Sequence, residues 1–160
     1  MTIRHATSED VASLIAVERA CPTAAHWDEY RYQSLFHHGA PERLILVAEE
    51  APHLTEPESG APSGLVIGFL IAHNVASEWE LENLAVARAF RRQGIAKRLL
   101  DALFDRAKQI GSESIHLEVR ESNAAARNLY EKAGFVHTGR RKAYYASPSE
   151  DAVLYRKQLI

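Results

Sequence analysis

The chain has 160 residues, of which 46% are hydrophobic and 25% are charged, and its net charge is −2. This length and composition suit a single domain over residues 1–160 with one well-filled core. Because the chain lacks an excess of basic residues, we expect neither nucleic acid nor a membrane surface as a partner.

The N-terminal residues lack the apolar stretch of a signal peptide, and no apolar run is long enough to span a membrane. Cys21 is the only cysteine, so an internal disulfide is excluded, which fits a reducing compartment. We therefore expect a cytoplasmic protein. The eight histidines show no metal-ligand spacing, so no metal site is predicted, and no pattern indicates an oligomeric state.

Hydrophobic periodicity predicts about seven strands and four helices in a mixed α/β order. Thr7 is followed by an acidic turn typical of a capping box, and glycines stand where later helices are expected to end. In chain order we expect a strand at 2–6, a helix from Thr7 to Cys21, a helix at 27–38 capped by Gly39, a strand at 43–49, a Pro-rich loop at 51–63, strands at 64–73 and 79–87, a helix at 94–110 ended by Gly111, a strand at 114–119, a helix at 123–132 capped by Gly134, and strands at 135–145 and 152–159.

The junction at residues 84–97 is the most informative segment. A strand runs through a short turn into the longest predicted helix, and that helix begins with glycine and small residues. Free backbone N–H groups at a helix start attract anions, and Gly94 and Ala96 leave room for a ligand to approach them. Arg91, Arg92 and Lys97 add full positive charges. The pattern suits a pyrophosphate, although the residues alone are equally compatible with an ordinary helix start and solvated charges.

The run Arg91-Arg92-Gln93-Gly94-Ile95-Ala96 resembles the Arg/Gln-x-x-Gly-x-Gly/Ala signature of the GCN5-related N-acetyltransferase (GNAT) superfamily, and the order of elements resembles that superfamily over nearly the whole chain. The resemblance implies a mixed, mostly antiparallel sheet in which two central parallel strands splay apart. It implies acetyl-CoA as the co-substrate, with the pantetheine arm bound by the backbone of Leu84, Ala85 and Val86. It further implies that the pyrophosphate is bound at residues 91–97, which are Arg91, Arg92, Gln93, Gly94, Ile95, Ala96 and Lys97.

A second group of residues is expected to carry chemistry. Glu118 stands near the end of a predicted strand, and Tyr130 lies on the next helix, close enough in sequence for both to reach one cleft. A carboxylate can accept the proton of an attacking amine, and a phenol can donate a proton to a leaving thiolate. The residues alone leave ordinary roles open, since such a glutamate is often part of an ion pair and such a tyrosine often packs.

The segment Leu-Glu-Val-Arg-x-Ser-Asn-x-x-Ala, at 117–126, followed by Leu-Tyr-Glu-x-x-Gly-Phe, at 129–135, resembles the ribosomal-protein-alanine N-acetyltransferase branch. The resemblance implies that Glu118 is the general base, Tyr130 the general acid and Asn123 a cofactor contact. It also implies a peptide groove lined by residues 27–29 and 140–145. Two departures are the long loop at 51–63 and Ala143, which separates a basic group from a Tyr-Tyr pair. Arg140 and Arg141 are equally compatible with plain surface charge.

Two questions stay open from the sequence. Glu82 is a rival base, because Glu78, Glu80 and Glu82 are expected to share one strand face that Leu84 continues. The acceptor is expected to be the N-terminal α-amine of a protein, such as a ribosomal protein. The alternatives are a small-molecule amine, with the same chemistry, and a non-catalytic module that binds acyl-CoA.

Overall fold

The structure is a computed structural model that describes residues 1–38, 42–51 and 64–160. Within these residues the predicted order of seven strands and four helices is confirmed. The predicted Gly39 cap and residues 52–63 of the predicted loop lie outside them. The elements are β1 (Thr2–His5), α1 (Val11–Arg19), α2 (Glu29–Ser34), β2 (Arg43–Glu50), β3 (Leu65–Val75), β4 (Glu78–Val86), α3 (Ile95–Gln109), β5 (Ser114–Arg120), α4 (Ala124–Lys132), β6 (Val136–Ala146) and β7 (Ser149–Gln158).

All seven strands form one sheet in the order β1-β2-β3-β4-β5-β7-β6. Every neighbouring pair is antiparallel except β4 and β5, which are parallel. The expected fold, a mixed and mostly antiparallel sheet with two central parallel strands, is therefore confirmed.

Helices cover both faces of the sheet. Leu14 of α1 and Tyr32 of α2 are fully buried against one face, whereas Leu99 and Leu103 of α3 are fully buried against the other. The four-residue spacing of the α3 leucines places them on one stripe of the helix, as the periodicity predicts. Each such side chain contributes about 1.5–3 kcal/mol by its removal from water.

Polar side chains fix the helix starts. The N–H of Thr7 donates to Asp10 Oδ2 at 2.8 Å, as expected for a capping box, and a 3-10 turn at Ser8–Asp10 leads into α1. Asp28 accepts from the N–H of Arg31 at 2.8 Å, so α2 begins at Glu29. This helix ends at Ser34 and is shorter than the predicted 27–38.

In the part of the chain that the structure describes, no helix combines the length and the apolar character needed to cross a membrane.

Candidate active site

A gap opens in the middle of the sheet between β4 and β5. The two strands pair in parallel from Glu78 with Ser114 to Leu81 with Leu117, and the pairing ends there. Both strands continue beyond this point, β4 to Val86 and β5 to Arg120. Beyond Leu81 and Leu117, the backbone N–H and C=O groups on the facing edges of the two strands therefore have no hydrogen-bond partner on the other strand.

A β-bulge lies where the gap begins. β3 pairs Ile71 with Asn83 and its next residue, Ala72, with Leu81, so Glu82 is one extra residue in β4. A bulge bends the strand and increases its twist. The bend at Glu82 thus coincides with the point at which β4 leaves β5.

The bulge also changes the face of the sheet to which the side chains of β4 point. Odd-numbered residues before and after the bulge point to opposite faces. Leu81 packs in the core against α3, whereas Ala85, four residues later, packs in the core against α1 and α2. Leu84 packs on the α3 side, so it does not continue the face of Glu80. The prediction that Leu84 shares a face with the three glutamates of β4 is wrong, because a strict alternation does not allow for an extra residue.

A pocket of about 300 Å³ occupies the gap. Its walls come from the α1–α2 connection, β4, β5, α4 and the β6–β7 hairpin. The walls include several residues singled out from the sequence. They are Leu84, Glu118, Asn123 and Tyr130 of the predicted site, Glu80 and the rival base Glu82, and Trp27, Tyr144 and Tyr145 of the predicted peptide groove. Residues 91–97 are not part of this pocket and lie at the start of α3.

Glu118 presents its carboxylate to the pocket and remains 24% exposed. Its Oε1 lies 2.9 Å from Nε of Arg141, itself an exposed residue. Tyr144 lines the same pocket, and its interaction with the Glu118 carboxylate raises the pKa of Tyr144 above its ordinary value. Glu118 is therefore an accessible carboxylate beside two side chains of β6.

Tyr130 forms another wall of the pocket. It is buried, and its ring packs edge to face on Phe135 at a centroid distance of 5.7 Å. Burial raises the pKa of its hydroxyl well above the ordinary value, so the phenol stays protonated. No hydrogen bond to this hydroxyl is found among the residues that the structure describes. The arrangement suits a neutral proton donor.

Asn123 is the N-cap of α4 rather than a residue within it. Its Oδ1 accepts from the N–H of Ala126 at 3.2 Å. Because Oδ1 is used in this cap, Nδ2 of Asn123 is the side-chain atom that can donate a hydrogen bond to a ligand in the pocket.

The start of α3 forms a concavity lined by backbone N–H groups. Arg92 and Gly94 adopt left-handed conformations, with φ values of 60° and 77°. From residue 92 to residue 97, no backbone N–H donates to a carbonyl of the described chain, and the first such donor is Arg98, to Gly94. Consecutive N–H groups in such a turn, at the positive end of a helix dipole, are a recurrent phosphate site.

The charges beside this concavity are partly engaged within the protein. Nε of Arg91 donates to the carbonyl of Val86 at 3.1 Å, and Lys97 Nζ pairs with Asp101 Oδ2 at 2.7 Å. Gly68 of β3 lies behind the junction, where an added Cβ would stand 3.1 Å from the carbonyl oxygen of Ala85. The strand and the helix start therefore approach each other closely.

The rival base, Glu82, lies in a closed ion cluster. Its side chain is only 7% exposed, with Oε2 at 2.8 Å from Arg43 Nε and Oε1 at 3.6 Å from Arg31 Nη2. His73 Nδ1 lies 3.4 Å from the same Oε1. Two guanidinium groups therefore enclose this carboxylate, and its side chain is much less exposed than that of Glu118.

A buried polar network beside the pocket was not predicted from the sequence. Glu18 is 1% exposed, and its Oε1 accepts from Trp27 N–H at 3.0 Å and from Asn83 Nδ2 at 3.1 Å. Asn83 Nδ2 also lies 3.1 Å from the hydroxyl of Tyr32. The network ties the α1–α2 connection to the bulged strand. A signal was present, because Glu18 falls on the apolar stripe of α1.

Comparison with known proteins gives a family and several relatives. The sequence model of the acetyltransferase (GNAT) family matches residues 11–135. The [ribosomal protein bS18]-alanine N-acetyltransferase of Haemophilus ducreyi is 42% identical over 92 residues, which cover 56% of this chain and 63% of that protein. The enzyme of the same name from Escherichia coli K12 is 39% identical over 94 residues, which cover 58% of this chain and 64% of that protein. The chain thus matches less than two thirds of the length of these relatives.

Solved structures extend the similarity to almost the whole chain. The crystal structure of the ribosomal-protein-S18-alanine N-acetyltransferase from Escherichia coli superposes with a TM-score of 0.79 at 28% identity, over 99% of this chain and 93% of that one. Ard1 from Thermoplasma volcanium superposes with a TM-score of 0.83 at 27% identity, over 99% and 97% of the two chains.

Proposed function

The chain belongs to the acetyltransferase (GNAT) family, and from this membership we propose that it transfers the acetyl group of acetyl-CoA to the N-terminal α-amine of a protein. The observation that carries the proposal is the gap between β4 and β5. It joins an anion-binding helix start on one side to an accessible carboxylate and a protonated phenol on the other.

The donor side fits acetyl-CoA by its chemistry. The N–H groups of Gln93, Gly94, Ile95, Ala96 and Lys97, with the side chains of Arg91 and Arg92, would bind the pyrophosphate. The backbone of Leu84, Ala85 and Val86 faces the gap and would bind the amides of the pantetheine arm. Asn123 would donate from its side-chain amide. Bound there, acetyl-CoA supplies a thioester whose carbonyl carbon is open to attack by an amine.

Two proton movements accompany the transfer. The amine nitrogen forms the new bond to the carbonyl carbon and loses one proton, which Glu118 accepts directly or through a water molecule. The bond from that carbon to sulfur breaks, and Tyr130 donates a proton to the departing thiolate. Glu118 thus gains one proton and Tyr130 loses one. Both side chains return to their starting protonation states once the solvent carries a proton from Glu118 to Tyr130.

An α-amine suits a weak base. Its pKa is about 8, against about 10.4 for lysine, so a far larger fraction of it is neutral near pH 7. A carboxylate such as Glu118 is then sufficient to remove the remaining proton. We favour Glu118 over Glu82 because the carboxylate of Glu82 is enclosed by Arg31 and Arg43.

The names of the relatives and the shape of the site support this class of acceptor. The relatives that match at about 40% identity are named for the alanine N-terminus of ribosomal protein bS18. The pocket opens between the α1–α2 connection and the β6–β7 hairpin, and the N-terminus of a polypeptide would bind between these two walls. A ribosomal-protein N-terminus is therefore our proposed acceptor, and it is one that the enzyme would meet in the cytoplasm.

A peptide panel tests this proposal. We would measure thiol release from acetyl-CoA with a peptide that begins Ala-Arg, with the same peptide already acetylated at its N-terminus, and with free polyamines and amino acids. We expect turnover with the free peptide only, and a product that carries one acetyl group on the α-nitrogen by fragment mass spectrometry. Turnover confined to small amines would contradict the proposal, and binding of acetyl-CoA without turnover of any amine would point to a non-catalytic module.

A further inference from the structure

The strand β6 carries a large irregularity beside the pocket. It pairs Arg141 with Ala152 of β7 and then Tyr145 with Glu150. Residues 142–144 therefore stand opposite a single residue of β7, Asp151. In the middle of this segment, Ala143 adopts a left-handed conformation with a φ of 48°. We call residues 142–144 the β6 bulge.

The β6 bulge changes which side chains reach Glu118. In a regular strand, residues three apart point to opposite faces of the sheet. Arg141 and Tyr144 are three apart, yet Arg141 Nε lies 2.9 Å from the Glu118 carboxylate, and Tyr144 lines the same pocket as Glu118 and has its pKa raised by that carboxylate. The register of Arg141 with Ala152 already places Arg141 on the face of Glu118, whereas Tyr144 reaches that face only because of the extra residues, so the bulge determines where Tyr144 lies.

Asp151 fastens the β6 bulge at its strained residue. Its Oδ1 accepts from the N–H of Ala143 at 2.8 Å. Its Oδ2 lies 3.3 Å from Arg140 Nη1, which also binds Glu121. The hydrogen bond from Ala143 keeps the pKa of Asp151 below its ordinary value, so the carboxylate is ionised at neutral pH.

A left-handed conformation is unfavourable for alanine, because its Cβ crowds the following carbonyl oxygen. Such a conformation persists only where surrounding interactions hold it, and these conformations cluster at functional sites. The interaction found at Ala143 is the one with Asp151. Asp151 lines neither the gap nor the pocket, so its effect on the chemistry passes through the bulge.

We propose that Asp151 is a positioning residue, which holds the β6 bulge in the conformation that brings Tyr144 to the Glu118 carboxylate. The inference rests on the proposed function, since it assigns Asp151 a part in aligning the base with the acceptor amine. It concerns the acceptor side only and leaves the binding of acetyl-CoA unaffected.

Three variants test the proposal by steady-state kinetics with the Ala-Arg peptide. We expect Asp151→Ala to lower kcat/KM for the peptide about tenfold to a hundredfold, as displaced catalytic groups do, while the Kd for acetyl-CoA stays unchanged. Asp151→Asn keeps an oxygen that accepts from Ala143 N–H, so we expect it to stay within about threefold of the parent. Glu121→Gln removes an exposed partner of Arg140 without touching the bulge, and we expect a change of at most about twofold.

A double-mutant cycle separates positioning from a loss of stability. If Asp151 acts through Tyr144, then Tyr144→Phe lowers kcat/KM in the parent but has little further effect in Asp151→Ala. Fully additive effects would overturn the proposal, as would an Asp151→Ala variant that is as active as the parent. Equal losses in peptide turnover and acetyl-CoA affinity would also overturn it, because they would indicate general unfolding.

A structure of Asp151→Ala gives a result that does not depend on turnover. We expect the Tyr144 side chain to move away from the Glu118 carboxylate. If it stays in place, the positioning role is wrong even where the peptide is acetylated. If the parent acetylates no peptide but the tyrosine moves as expected, the proposed function fails and the role of Asp151 in shaping the β6 bulge stands.

Discussion

Two regions border the gap between β4 and β5, and they are built in different ways. The proposed donor side, residues 84–97, is one continuous segment whose proposed ligand groups are mostly backbone N–H groups at the start of α3. The proposed acceptor side is assembled from side chains on β5, α4 and β6, with Glu118 contacted by Arg141 of β6 and close to Tyr144 of the β6 bulge. A backbone site depends on conformation and tolerates many side chains. A side-chain site depends on the identity of a few residues, so substitutions should affect the two sides differently.

The largest effect is expected on the acceptor side, from Glu118→Gln. This variant keeps the shape of the residue but loses the base, so kcat should fall about 10²–10⁴-fold, while acetyl-CoA binding measured by calorimetry stays unchanged. Glu82→Gln is the matched control for the rival base. We expect it to retain kcat within about threefold, since the Glu82 side chain is only 7% exposed and is enclosed by Arg31 and Arg43, and to lower the melting temperature because these two arginines lose their partner. A greater loss of kcat in Glu82→Gln would assign the base to β4 instead.

Tyr130→Phe should be the next most damaging change. A positioned proton donor contributes about a hundredfold or more, so kcat should fall by that factor with little change in Kd for acetyl-CoA. The raised pKa of Tyr130 sets the sign of the pH dependence. The hydroxyl stays protonated above the pKa of an ordinary tyrosine, so kcat/KM should rise as the acceptor amine deprotonates near pH 8 and show no loss from Tyr130 up to about pH 10. A rate within about twofold of the parent would show that Tyr130 is not the acid.

The donor side should respond to backbone conformation, and the two glycines that flank α3 allow a matched comparison. Gly94 and Gly111 have φ values of 77° and 73°, and an added Cβ meets nothing within 4 Å at either. Replacement of each by alanine carries a similar strain of about 1–2 kcal/mol. Both variants should lose thermal stability, but only Gly94→Ala should weaken acetyl-CoA, by about fivefold to thirtyfold if the strain falls on the bound conformation. Equal affinities in the two variants would place the pyrophosphate elsewhere.

The smallest effect is expected from Asp101→Asn. Lys97 is paired with Asp101 one turn along α3, at 2.7 Å, and an exposed pair of this kind is worth about 0.3–0.5 kcal/mol. Removal of the aspartate charge frees the lysine for phosphate and should tighten acetyl-CoA about twofold at low salt. The gain should disappear at high ionic strength, where exposed charges are screened. A gain that persists in high salt would show a conformational effect.

The same contrast explains what the sequence predicted and what it did not. The order of the elements and the helix start at Gly94 follow from local patterns, because periodicity and capping act over a few residues. The two bulges do not, since an extra residue in β4 or β6 is defined only by the register with a neighbouring strand. Glu82 with Arg43 and Glu18 with Asn83 are 39 and 65 residues apart, and no local rule pairs them.

The residues proposed for chemistry were partly predictable from the sequence. A glutamate near a strand end and a tyrosine one helix later are compatible with many proteins, and it was the family resemblance that selected Glu118 and Tyr130. The structure places both at one pocket with Leu84 and Asn123. The side chains beside Glu118 come from β6, more than twenty residues further along the chain, and the bulge that directs Tyr144 has no sequence signal apart from Ala143 between the two pairs.

The unpaired strand edges inside the sheet have a consequence for folding stability. The amides of β4 beyond Leu81 that face β5 should exchange quickly with deuterium in the free protein, since no strand protects them. A bound pantetheine arm would act as a missing strand and slow their exchange. Binding to the folded state alone raises the free energy of unfolding, by about 2.7 kcal/mol at a ligand concentration one hundred times Kd. The cellular supply of acetyl-CoA would thus help determine how long the molecule survives proteolysis, as well as how fast it works.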